Sequence, residues 1–149
     1  MEYFSYSQKA FVYKYVVMLS DTDQFKHMSF ANYLKLMFLA SDALFVSCFD
    51  VEFLANNRSK MVHSRMQFKH QTVAGDNIII NVNSSEINAS QFSLLFTFLI
   101  EGSAKLVGLG RQTYKFVSSH AQKPIPLPTR IRDLLIPIEV DEKNLLYAY

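Results

Sequence analysis

The stretch from Ser29 to Phe49 constrains this chain more than any other. Tyr33, Leu36, Met37, Ala40, Leu44 and Cys48 recur there at steps of mostly three and four, which places them on one face of a helix. Lys35 and Asp42 interrupt its most apolar window, and that window is shorter than the roughly 20 residues needed to cross a bilayer. The expectation is a buried helix over about 29–49, with Ser29 as its N-cap.

The rest of the chain reads as strands. Ahead of the helix, FVYKYVVML (Phe11–Leu19) is β-branched and aromatic with little polar interruption, the pattern of a strand buried on both faces. Beyond it, MVHSRMQFKHQTV alternates loosely, with Val62, Ser64, Met66 and Phe68 on one face and His63, Arg65, Gln67 and Lys69 on the other, as in a half-exposed strand. Turn signals at Ala74–Asp76 and Asn88–Ser90 bracket NIIINVNSSEI, and EGSAK joins QFSLLFTFLI to LVGLGRQTYKFVS as a hairpin. The prolines of KPIPLPTRIRDLL exclude a central strand, and a short helix is expected near Thr129 in a tail over about 120–149.

One strand, one long helix and four further strands joined by hairpins make an antiparallel sheet, and a lone apolar helix needs a sheet to cover it. The expected fold is therefore α+β: five or six strands wrapped around a central helix, the hotdog architecture, as a single domain over 1–149. FSLLFTFLI is apolar on both faces, so a second face or edge of the sheet is expected to meet another subunit in a homodimer or homotetramer.

Composition narrows the function classes. Fifteen Lys and Arg against thirteen Asp and Glu leave a formal charge of +2, too balanced for a nucleic-acid surface or a polybasic membrane anchor. The single cysteine, Cys48, excludes an intrachain disulfide and a multi-cysteine zinc site, and it falls on the apolar side of the helix as a packing residue. No carboxylate or cysteine stands at ligand spacing from His63 and His70, so no metal is expected and both histidines read as part of a solvated strand face. The N-terminal stretch lacks the basic flank and apolar core of a signal peptide, so a cytoplasmic location is expected.

Between the first strand and the helix lies SDTDQFKHMSFANYL. It resembles the signature of hotdog thioesterases of the 4-hydroxybenzoyl-CoA type, in which an Asp-bearing loop leads directly into a helix opened by Asn-Tyr or Ala-x-Tyr. VAGDNIIINVNSSEINASQFSLLFTFLIEGSAKLVGLGRQTYKFVS is similar to the long hairpin core of that family. HMSFANYL and LVGLGRQTYKFVS further resemble thioesterases that release polyketide chains in enediyne assembly, although those lack the loop acid. The resemblance spans roughly Phe11 to Leu135 and implies hydrolysis of an acyl-CoA or acyl-carrier-protein thioester to a free acid and a thiol. It implies no cofactor: coenzyme A or phosphopantetheine enters as part of the substrate.

Carried over residue by residue, the resemblance assigns Asp23 as nucleophile or general base toward the thioester carbonyl, with His27 as an auxiliary hydrogen-bonding group. Backbone NH groups of Lys26, His27 and Met28, at the helix start, would face the oxyanion. Asn32, Tyr33 and Met37 are expected to bind substrate, with Phe38 beside them along an apolar channel. Arg111 and Lys115, with Lys69, would meet the phosphates. Asp21 reads as a turn or capping residue, and Asp42 as a carboxylate paired across a subunit interface. The chain departs from the family at Lys26, where many relatives carry glycine, and at Ser29 and Phe30, where one subgroup carries two asparagines. Those departures leave a second expectation, a non-catalytic acyl-binding or assembly subunit. The Asp or Glu and His motifs of hotdog dehydratases are not found.

Overall fold

The computed structural model describes residues 9–46, 48–103 and 105–147, with the side chains of Leu54, Leu146 and Tyr147 left aside. The first eight residues of the N-terminal stretch read above for a leader thus lie outside the described residues. Five strands, β1 (Phe11–Val16), β2 (Asn57–Phe68), β3 (Asn77–Ser85), β4 (Gln91–Ile100) and β5 (Lys105–Ser118), form one sheet in the order β1-β3-β4-β5-β2. Every pairing is antiparallel. The long helix α1 (Phe30–Phe45) lies on one face of this sheet, which makes the fold the α+β hotdog that its element order implies.

The helix ends four residues before its expected limit. Its chain turns after Val46 and starts a second helix, α2 (Val51–Asn56), whose first turn is capped by the Asp50 carboxylate accepting the Phe53 amide at 2.7 Å. The buried face of α1 holds Tyr33, Leu36, Met37, Ala40 and Leu44, the expected set, packed on Ile78, Ile80, Val82, Phe92, Phe96 and Phe98. Cys48 lies beyond the helix, half-buried against that core. Gly110 sets the approach of helix to sheet: a Cβ built there would lie 2.5 Å from the Met37 sulfur and 3.4 Å from the Phe96 Cβ. Only glycine leaves room for this contact.

Two readings of the strands need correction. β1 is an edge strand that alternates between half-buried and exposed residues, because its outward side chains Val12, Lys14 and Val16 meet no covering layer. In β2 the register shifts between Met61 and His63, so Val62 sits in a bulge, 46% exposed, and Met61 turns toward the core in its place.

The tail does what its prolines and its apolar residues together require. Helix α3 (Thr129–Leu135) buries Ile131 and Leu135, and Ser84 donates from its hydroxyl to the Leu135 carbonyl at 2.6 Å. After a 3₁₀ turn at Ile136–Ile138 the chain bridges to β3, and α4 (Glu142–Tyr147) follows. Leu145 of α4 is buried and shares a cavity of about 510 Å³ with Leu95 and Leu109. Part of the second apolar face of β4 is therefore covered by the chain's own C-terminal segment.

Candidate active site

The loop from Asp21 to Ser29 is built by its two aspartates in different ways. Asp21 is 6% exposed, and its carboxylate accepts the Tyr15 hydroxyl at 2.7 Å and the Met18 amide at 2.9 Å. Burial, then the bond to Asp21, pushes the Tyr15 hydroxyl up to about 12, which keeps it a donor. The Asp21 carbonyl accepts the Ser29 amide at 3.1 Å and the Asn32 side-chain amide at 2.7 Å. Asp21 thus ties the loop to both β1 and α1, the structural part expected of it.

Asp23 is exposed. Its Oδ1 accepts the amides of Phe25 at 2.8 Å and His27 at 3.2 Å, while Oδ2 has no hydrogen-bond partner among the described residues. The loop closes on itself through the Asp23 amide to the His27 carbonyl at 2.8 Å and the Lys26 amide to the Asp23 carbonyl at 3.0 Å. This tight turn forces Lys26 to φ +66°, the left-handed region that glycine occupies at little cost.

A cleft of about 590 Å³ opens beside this loop. Asp23, His27, Met28, Ser29 and Phe30 form one wall, Phe68, Lys69, His70 and Gln71 the other, and Tyr33 belongs to the lining as well. Thr72, fully buried, holds the walls together: its carbonyl accepts the Met28 amide at 2.9 Å and its hydroxyl pairs with the Tyr33 hydroxyl at 3.0 Å. Burial raises the Tyr33 pKa above its ordinary value against the lowering effect of that bond. The Phe30 and Phe68 rings pack at a tilt with centroids 4.5 Å apart, and Phe68 meets Tyr33 edge-on at 5.1 Å.

Of the residues assigned from the sequence, Asp23, His27, Met28 and Tyr33 line the cleft, and Lys26 shapes its loop. The amides of Lys26, His27 and Met28 are each spent on a hydrogen bond inside the protein, so none of them is open to an oxyanion. In the first turn of α1, the Phe30 and Ala31 amides have no such partner among the described residues. The Asn32 side chain bonds the Asp21 carbonyl and the Ser29 hydroxyl and is absent from the cleft lining. Ser29 occupies the N-cap position, but its hydroxyl serves Asn32, not a helix amide.

Met37 is 1% exposed, in the core over Gly110. Arg111 and Lys115 belong to the other face of β5, since side chains alternate along a strand and Gly110 and Tyr114 turn toward α1. There Arg111 donates to Glu86 at 2.5 Å, to the Ser93 hydroxyl at 3.2 Å and to Glu142, which also takes Arg65. Asp42 is exposed on α1, not sunk in the core. Among the described residues, no group of three or more His, Cys, Asp or Glu is placed to hold a metal ion, and no helix is long and apolar enough to cross a membrane.

Sequence reasoning set His70 and Phe68 aside and did not consider Gln71 and Thr72. The turn at Ala74–Asp76 was the available signal, because it ends β2 a few residues earlier and so brings 68–72 to the same end of the sheet as the Asp23 loop.

A five-stranded antiparallel sheet carrying one long helix, with an acidic loop and a cleft at the N-terminus of that helix, defines the class: a hotdog protein with a site at the helix start. The chain belongs to the thioesterase-like superfamily, whose family model matches residues 17–135. Solved structures agree in fold. A 1,4-dihydroxy-2-naphthoyl-CoA thioesterase from Synechocystis superposes with a TM-score of 0.78 at 20% identity, covering 85% of this chain and 96% of its own. The dynemicin thioesterase gives 0.79 at 18% identity over 89% and 99%. A Staphylococcus aureus protein solved in complex with CoA gives 0.80 at 14% identity over 89% and 87%. No curated protein sequence matches the chain.

Proposed function

We propose that this protein is an acyl thioesterase that hydrolyses an acyl-CoA or acyl-carrier-protein thioester to a free acid and a thiol. The observation that carries the reading is Asp23: two amides fix one carboxylate oxygen, while the other is left open in a cleft at a helix N-terminus. Such an oxygen either attacks the thioester carbonyl or takes a proton from the water that does. The oxyanion would then face the Phe30 amide in the first turn of α1, where partial positive charge and an unspent donor coincide. Phe30, Phe68 and Tyr33 offer aromatic walls to the acyl group. With Arg111 neutralised elsewhere, Lys69 is the lysine of the lining, and it would receive a phosphate of the coenzyme A or phosphopantetheine arm.

The same reading includes a homo-oligomer. Phe30, Leu34 and Phe38 form a stripe at helical spacing on the outward face of α1, exposed by 73%, 39% and 39%. The stripe borders the cleft through the Phe30–Phe68 pair, so a second subunit seated on it would complete the site's rim.

A second reading, a non-catalytic acyl-binding subunit, draws on the spent amides of Lys26, His27 and Met28. Hydrolysis of a panel of acyl-CoA and acyl-carrier-protein thioesters by wild type and Asp23→Asn separates the two. Turnover by wild type that Asp23→Asn abolishes supports the enzyme. Binding without turnover by either protein supports the silent subunit, and full turnover by Asp23→Asn removes the assigned mechanism.

A further inference from the structure

His70 is held in the cleft wall opposite Asp23 by the main chain around it. β2 ends at Phe68, and the Val107 carbonyl accepts both of the next two amides, Lys69 at 2.8 Å and His70 at 3.1 Å. One carbonyl serves two residues because β5 bulges there: Leu106 pairs with Leu99 and Gly108 with Phe98, leaving Val107 between them. A few residues on, the Met28 amide on the Thr72 carbonyl and the bridge between His27 and Val73 fasten the segment to the Asp23 loop. The wall is therefore pinned at both ends. His70 itself is half-buried, and its imidazole has no hydrogen-bond partner among the described residues.

The titratable groups that face His70 across the cleft are Asp23 and His27 on the loop and Tyr33 on α1, with Lys69 beside it on its own segment. Tyr33 has its hydroxyl committed to Thr72. His27 shares a loop with Asp23, and its amide holds the very carboxylate that would activate water. In the thioesterase reading Lys69 receives a phosphate of the thiol arm, which brings the departing sulfur to the side of the cleft whose segment also carries His70. Histidine is the side chain suited to carry a transferable proton near neutrality.

We propose that His70 is the general acid that protonates the departing thiol, an inference that rests on the thioesterase reading. Water adds to the thioester carbonyl carbon and gives one proton to the Asp23 carboxylate. The tetrahedral oxyanion then collapses: the carbon–sulfur bond breaks, its electron pair goes to sulfur, and the His70 imidazolium transfers its proton to that sulfur. The proton on Asp23 passes through solvent to the neutral imidazole, and both groups return to their starting states. The balance is thioester plus water giving acid plus thiol.

Two esters of the same acyl group test this directly. An acyl-pantetheine releases an alkyl thiol that gains from a proton as it departs, whereas an acyl nitrothiophenol releases a stabilised thiolate that does not. His70→Gln is expected to slow the pantetheine ester about a hundredfold, at the low end of general-acid effects, while the nitrothiophenyl ester stays within about threefold of wild type. Retained turnover of the activated ester also shows that the variant is folded. Equal losses on both esters, or no loss on either, overturn the assignment. So does the same split produced by His27→Gln and not by His70→Gln. A wild type that cleaves neither ester removes the thioesterase reading itself, and this inference with it.

Discussion

Two charged clusters, one at each face of the sheet, handle their ions in opposite ways. In the cleft beside α1, Asp23 is exposed with one oxygen unpaired, and the facing wall carries Lys69 and His70. On the outer face, Arg111 is 14% exposed and divides its donors among Glu86, Glu142 and Ser93, while Glu142, 20% exposed, takes Arg65 as well. Burial works to lower the Arg111 pKa, yet the two carboxylates outweigh it and hold it above its ordinary value. A charge left open can act on a ligand, whereas one closed into a network fastens the C-terminal helix to the sheet. Sequence alone placed Asp23 and Arg111 in one site; the strand period puts them on opposite sides.

The contrast breaks most sharply at Asp23. Asparagine keeps the carbonyl oxygen that accepts the Phe25 and His27 amides but can neither attack nor take a proton. Asp23→Asn is therefore expected to lower kcat about a thousandfold while its melting temperature stays at the wild-type value. Steady-state kinetics beside calorimetry checks both halves. A loss of activity that comes with a large drop in melting temperature would make Asp23 a loop-builder like Asp21.

Arg111→Met tests the other side. It leaves Glu142 with Arg65 alone in a mostly buried place, so stability should fall by about 2 kcal/mol, less than for a fully buried pair. Thioester turnover should be unchanged. Urea unfolding measures the first and the acyl panel the second, and a raised KM for acyl-CoA would return Arg111 to the substrate.

What the sequence could and could not convey follows the same division. The helix was legible because Tyr33, Leu36, Met37, Ala40 and Leu44 carry its period, and the strand order because turn residues punctuate it. Asp23 is assigned by resemblance alone, since an Asp two residues from another has no local mark of being the open one. The placement of His70 and Thr72 beside the cleft is not visible in the sequence, because Val107 and Met28, distant in sequence, hold that segment through their backbone groups. Arg111 was misplaced because cation chemistry is visible in sequence, but its partners Glu86 and Glu142 are joined to it only by folding. The helix α2 was missed because its length gives no full period to read.

A pH titration sharpens the difference between hidden and open groups. Burial pushes Tyr114 up to about 12, with the Asp42 charge adding and the Ser41 bond opposing, and Tyr15 is also pushed to about 12. Unfolded tyrosine ionises near the ordinary value of 10.0, so the folded chain holds protons that the unfolded chain releases. The resulting stability is complete below the unfolded value and is lost as pH rises from 10.0 through about 12. For Tyr114, 6% exposed, the loss should approach about 2–3 kcal/mol. Urea midpoints measured between those limits should decline in wild type and decline less steeply in Tyr114→Phe, where Tyr15 still contributes. An equal slope in both proteins would show that this hydroxyl does not control it.

The smallest effect tests what the cleft loop costs. Lys26 holds φ +66°, a conformation that costs a side-chain-bearing residue about 1–2 kcal/mol, and its amide is bound to the Asp23 carbonyl at 3.0 Å. Glycine removes that strain but brings a more flexible unfolded chain, which returns about 0.5–1 kcal/mol. Lys26→Gly should therefore stabilise the protein by no more than about 1.5 kcal/mol, read from its urea midpoint. Because glycine admits the same φ, the turn and the Asp23 orientation should persist, and thioester turnover should stay within about twofold of wild type. If turnover instead rises severalfold, the lysine restrains the loop that positions the acid, and the cleft owes its present geometry to that strained residue.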